Sequence, residues 1–202
     1  MSDSASEPAY LETSLGRFFG LVSRDEPAPA GGSVAAVAIG LAAALCVKAA
    51  LLSTRQMPDA LDIVAASELL RDRAGVLGQD DADAYGLVIE ALRLPREPDT
   101  KGRQRAIALA LARASDVAAE IAAIGASVAD IAARIAESGN PNLIGDVVTA
   151  ALIAEAGARS ADALVRVNLA AEPNASIFTA LAEVLEKAAR CSSRARRILA
   201  LD

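Results

Sequence analysis

Histidine is absent from all 202 residues. That removes imidazole general-base catalysis, the Ser-His and Cys-His nucleophile arrangements, and the usual zinc sites. Any chemistry falls to Asp, Glu, Lys, Arg, Tyr or the substrate itself. Tryptophan is absent too, and aromatic residues make up only 2% of the chain. A core must therefore come from Ala, Leu, Val and Ile, which favours long helices in close approach and a second subunit. Cysteine occurs twice, as Cys46 and Cys191, without metal-ligand spacing. Both suit reduced, structural thiols of a cytoplasmic protein, and no metal site is expected. Basic tracts are lacking and the net charge is −6, which argues against a nucleic-acid partner. The first residues, Met1 to Glu7, are polar and slightly acidic, unlike a signal peptide.

What is present is apolar, at 53% of residues, yet no segment alternates as a strand does. Breakers divide the chain into helical blocks at 8–23, 32–54, 59–94, 99–138, 141–171 and 174–201, with a break in the third near Gly75 or Gly78. Gly139-Asn140-Pro141 is a stop-and-start signal, because Gly ends a helix, Asn caps the next and Pro fits its first turn. The expected fold is an all-α, single-domain bundle of about six helices spanning 1–202. The run Val34 to Val47 carries no charge. It could suggest a membrane span, but Lys48 interrupts it and no Trp or Tyr flanks it. A buried central helix is the expectation, with no membrane partner.

Three polar clusters interrupt the alanine background. The first is Gly31-Gly32-Ser33, following Pro27 and Pro29. There Ser33 can cap the central helix, and a glycine loop at a helix start can cradle a polar or anionic group. The second is Asp80-Asp81-Ala82-Asp83-Ala84-Tyr85, where Asp81 and Tyr85 share a helix face. Crowded carboxylates raise one another's pKa, which suits a proton acceptor or a cation site. The third is Asn140 to Asp146, where Asn142 and Asp146 lie four apart near a helix start. Each cluster also has a plain structural reading: a loop and cap, a solvated acidic face, and an acidic residue at a positive helix end.

In order, Pro-x-Pro-x-Gly-Gly-Ser, Asp-Asp-x-x-Ala-Tyr with a following Leu-Pro-Arg, Gly-Asn-x-Asn-x-Ile-x-Asp, and Val-Asn-Leu at 167–169 resemble the cyclodeaminase/cyclohydrolase family. That family comprises the deaminase half of formiminotransferase-cyclodeaminase and stand-alone methenyltetrahydrofolate cyclohydrolases. The likeness runs over roughly 11–202. It implies an all-helical homodimer acting on a tetrahydrofolate one-carbon derivative, with no cofactor or metal. With no transferase half in view, it points to the stand-alone form, which adds water to 5,10-methenyltetrahydrofolate to give 10-formyltetrahydrofolate. The alternatives are formimino-tetrahydrofolate cyclodeaminase and a divergent, non-catalytic folate-binding member.

Carried over by motif, the resemblance implies Asp81 and Asp146 as catalytic, with Gly31, Gly32, Ser33, Tyr85, Asn142 and Asn168 binding substrate. Arg55 and Arg96 are candidates for the substrate's anionic glutamate end. Asp146 and Asn168 are separated by about 33 Å along one continuous helix, so they cannot line one pocket within one subunit. The chain departs from the family pattern at Ala30, at Gly145, at Leu164, in the stretch 52–58 that lacks a Gly-Lys pair, and at Lys48, where an apolar residue is usual.

Overall fold

The computed structural model describes residues 10–171 and 173–198. Six α-helices follow a 3-10 turn at Tyr10–Glu12, and no strand occurs among the described residues. They are α1 (Leu15–Val22), α2 (Gly31–Leu51), α3 (Ala60–Arg93), α4 (Thr100–Ser138), α5 (Ile144–Asn168) and α6 (Ala175–Ile198), with a second 3-10 turn at Pro141–Leu143. Short connections make α2, α3, α4 and α5 antiparallel neighbours in a closed ring, and α6 lies across α4 and α5. One end of the bundle thus collects the start of α2, the later part of α3, the start of α4 and the end of α5. The other collects the end of α2 and the start of α5.

Alanine lets these helices come close. More than half of the buried apolar residues are alanine, and Ile39 of α2 is fully enclosed among them. Two glycines mark close approach in the core. A Cβ on Gly125 of α4 would lie 2.8 Å from the Ala154 carbonyl oxygen of α5, and one on Gly157 would lie 2.6 Å from Ile39 Cγ1. Helix propensity favours alanine over glycine by about 1 kcal/mol, but a backbone oxygen has little room to give. Gly125→Ala is therefore expected to lower stability by about 1–3 kcal/mol, in the range of overpacked cores. A urea midpoint equal to or above wild type would contradict this.

Local capping follows the expected chemistry with three differences. Asp99 Oδ1 accepts from Gly102 N–H, and Asn174 Oδ1 accepts from the N–H groups of Ser176 and Ile177. Helix α1 begins later than expected, at Leu15, where Ser14 Oγ accepts from Arg17 N–H; residues 8 and 9 of that expectation lie outside the described part. Helix α3 runs unbroken through Gly75 and Gly78, because those glycines sit where Leu11 and the backbone of α2 approach it. Ser33 is not a cap. Ala30 holds that position, and Ser33 lies inside the first turn with its hydroxyl turned toward α3.

Among the described residues, Gly31–Leu51 is the one helix long and apolar enough to cross a membrane, with a mean hydropathy of 2.3. Its neighbours α3, α4 and α5 enclose Ala36, Ile39, Ala43, Cys46 and Ala50 completely. This is a core helix with one face left uncovered.

Candidate active site

The first turn of α2 has N–H groups without intrahelical partners. One of them, on Ser33, donates to Asp81 Oδ2 at 2.8 Å, and the Ser33 hydroxyl donates to the same oxygen at 3.1 Å. Asp81 belongs to α3, so two helices are joined by one carboxylate. Gly32 makes room for it, since a Cβ there would overlap all three carboxyl atoms of Asp81. Burial pushes the Asp81 carboxyl above its ordinary pKa, and the two Ser33 donations pull in the opposite direction.

Crowding among carboxylates is not the cause of that shift. Asp80 turns to Arg73 Nη1, at 3.3 Å, and Asp83 accepts from Gln79 Nε2, at 3.0 Å. The acidic run is thus split three ways, and only Asp81 faces α2. Tyr85, one turn further along α3, is 37% exposed on the rim.

Asp146 is elsewhere. It lies in the first turn of α5, and Lys48 Nζ donates to its Oδ2 at 2.6 Å. Lys48 is the single charged side chain of α2. Ser33 and Lys48 are separated by about 22 Å at 1.5 Å per residue, so Asp81 and Asp146 occupy opposite ends of one helix. Asn142 is exposed in the Pro141–Leu143 turn beside Asp146, its N–H donating to Asn140 Oδ1. Nearby, buried Ser53 Oγ donates to Ala49 O and accepts from Asn140 N–H, while Asn140 Nδ2 donates to Leu52 O. This latch fastens the end of α2 to the turn between α4 and α5.

Two clefts of about 540 Å³ each flank the end of α5 that holds Asn168. One, between α2 and α5, is an apolar trough lined by Gly31, Val34, Ala38, Ile153, Gly157 and Leu164. The other, between α4, α5 and α6, contains Asn168 with Gln104, Leu111, Asp116 and Ile177. Asn168 is therefore at the Asp81 end of the bundle but opens on a different side of α5 from Gly31. Arg55 and Arg96 are exposed in the loops before and after α3, about 50 Å apart along that helix. A single site within one chain reaches only one of them. Arg103, at the start of α4, is occupied in holding the end of α3 through Leu92 O and Leu94 O.

Gly31, Gly32, Ser33, Asp81 and Tyr85 thus come together, while Asn142 and Asp146 form a second group at the far end. Sequence reasoning misses Lys48 as the partner of Asp146. The signal available for it is a lone charge in an otherwise apolar helix. The chemistry on offer at the first group is a half-buried carboxylate able to face a cation or accept a proton, while the apolar trough reaches this end of α2 at Gly31 and Val34. Among the described residues, no group of three or more Cys, Asp or Glu side chains is placed to hold a metal ion.

Comparison with known proteins is consistent in direction. Residues 14–187 match the family described as formiminotransferase-cyclodeaminase. The chain is 34% identical over 150 residues to the methenyltetrahydrofolate cyclohydrolase of Methylorubrum extorquens, covering 70% of this chain and 72% of that protein. It is 30% identical over 175 residues to the formimidoyltransferase-cyclodeaminase of Mus musculus, a match that takes in 83% of this chain but 32% of the mouse protein. In three dimensions it resembles the crystal structure of formiminotetrahydrofolate cyclodeaminase from Thermotoga maritima, with a TM-score of 0.82, 25% identity, and coverage of 94% of this chain and 96% of that one.

Proposed function

The chain belongs to the formiminotransferase-cyclodeaminase family, and from that premise we propose that it is a methenyltetrahydrofolate cyclohydrolase. The observation that carries the reading is Asp81, a carboxylate held half-buried at the start of α2 by both donors of Ser33. The substrate's bridge carbon is part of a cationic amidinium and is already electrophilic. Asp81 stabilises that cation and accepts a proton as water attacks the carbon. The new C–O bond gives a carbinolamine. Its hydroxyl proton leaves, the bond from carbon to the ring nitrogen N5 breaks, and N5 takes up a proton. The products are 10-formyltetrahydrofolate and one proton. Histidine is needed at no step.

The test is the decay of methenyltetrahydrofolate absorbance with purified protein, against the uncatalysed rate. Acceleration is expected, and its absence overturns the reading. Since burial raises the Asp81 pKa in the free protein and the base must be ionised, kcat/KM should fall as pH drops through a limb lying above the ordinary carboxylate range. A limb at or below that range would dissociate Asp81 from proton transfer.

A second reading has its own support in the likeness to the Thermotoga maritima cyclodeaminase. Formimino-tetrahydrofolate chemistry centres on the same carbon, with ammonia leaving in place of water entering. Ammonia release from 5-formiminotetrahydrofolate at a rate above methenyl hydration would make this the principal activity.

A further inference from the structure

The cleft between α4, α5 and α6 lies on the side of α5 turned away from Gly31. Along α4, Ala108, Ala112 and Asp116 are spaced by four residues, and the two alanines leave open space beside Ile107 and Leu111. Ile177 of α6 lines the same space. At about 540 Å³ the cleft has the size of a small-molecule site, and like such sites it combines apolar walls with a few polar groups.

Three of those polar groups are left unanswered by the chain. The side chains of Gln104, Asp116 and Asn168 have no hydrogen-bond or ion-pair partner among the described residues. Asp116 differs from its neighbours in this. Every other acidic side chain of α4 and α5 is ion-paired, from Glu120 with Arg73 to Asp162 with Arg166. Arg166 does not serve Asp116 as well, because it donates to Asp162 and lies over the Phe178 ring, 5.2 Å from its centroid. Among the described residues lining the cleft, Asp116 is the single charged one. The end of α5 opens on the same space and adds the negative potential of a helix C-terminus. The opposing positive end of α6 is capped, since Asn174 Oδ1 accepts from Ser176 and Ile177 N–H.

We propose that this cleft is a second ligand site, built for a small primary amine with an apolar body. The ammonium group faces Asp116, the body lies against Ile107, Leu111 and Ile177, and the amides of Gln104 and Asn168 take up its remaining polar atoms. Helix α5 stands between this site and Asp81, so the proposal does not depend on the reaction assigned there.

Tryptamine is a suitable probe, because the chain has no tryptophan and indole fluorescence then comes from the ligand alone. Its anisotropy should rise saturably with protein concentration. Tryptophol, which replaces the ammonium by a hydroxyl, should bind about tenfold more weakly, the worth of a charge-assisted hydrogen bond. Asp116→Asn should abolish that preference. Ala112→Phe fills the cleft without altering its charge and should remove binding of both probes, whereas Asp81→Asn should bind as wild type does. Thermal melts of the three variants establish that each is folded. The proposal is overturned by no saturable binding of tryptamine to the wild-type protein, by equal affinity for tryptophol, or by tighter binding of indole-3-propionate. Tryptamine binding that survives Ala112→Phe would place the amine on the open surface, and binding lost in Asp81→Asn would place it at the first site. Either result removes the second site.

Discussion

Asp81→Asn is expected to lower kcat for methenyltetrahydrofolate hydration by about a hundredfold or more, the usual contribution of a positioned proton acceptor. Melting temperature at neutral pH should stay equal or rise. The asparagine keeps an oxygen to accept from Ser33 N–H and removes a charge that burial disfavours. The sign follows from the direction of the shift. A carboxyl whose pKa is raised in the folded protein stabilises it in the protonated form, so its contribution grows as pH falls through that raised value. The variant should therefore lose part of the stability that the wild type gains on mild acidification. Paired kinetics and thermal melts at two pH values check both arms. A variant with intact turnover, or one that loses turnover only by unfolding, would refute the assignment.

Gly32→Ala should cost nearly as much activity with no change at the carboxylate itself. The added methyl group occupies the space of the Asp81 carboxyl, so the carboxylate must swing away from Ser33 N–H. Helix propensity favours the alanine by about 1 kcal/mol, which offsets the lost hydrogen bonds in stability but not in geometry. Because the two residues act as a unit, the double variant with Asp81→Asn should be no slower than Asp81→Asn alone. Fully additive losses would mean that Gly32 serves some purpose other than admitting Asp81. Near-wild-type kinetics of Gly32→Ala would mean that the carboxylate's placement is unimportant.

Boundaries set by local chemistry are legible in the residues alone. Pro95, Pro98, Asp99, Gly139 to Pro141, and Asn174 each act within a few residues, and the helices end and restart at them. The sequence is ambiguous at Ser33, since a serine near a helix start suits a cap equally well, and its real acceptor lies 48 positions away on α3. Gly75 suggests a break for the same reason: a helical glycine signals either weakness or close approach, and the neighbour decides which. For the candidate site, motif order singles out Asp81 and Asp146, which the fold places at opposite ends of α2. The separation of Asn168 from Asp146 is calculable from helix rise alone. The ion pair of Lys48 with Asp146 spans 98 positions, and no local pattern encodes a contact of that range. Likewise the sequence points to an elevated pKa in the acidic run for the wrong reason, because burial cannot be read from neighbours in sequence whereas crowding can.

The alanine-rich interior makes tolerance to change lopsided. In a core of leucine and phenylalanine, random substitution mostly deletes atoms, and the damage takes the form of cavities. Here there is little left to delete. Ala42, Ala122, Ala129, Ala150 and Ala154 are fully enclosed already, and each can only become glycine or grow. Growth at such sites costs about 1–3 kcal/mol through displaced backbones, whereas Ala→Gly costs about 1 kcal/mol in helix propensity. Over evolutionary time the bundle's interior should drift among Gly, Ala and Ser and reject nearly everything larger. Substitutions that alter its chemistry are thereby directed to the outer faces and the two ends of α2.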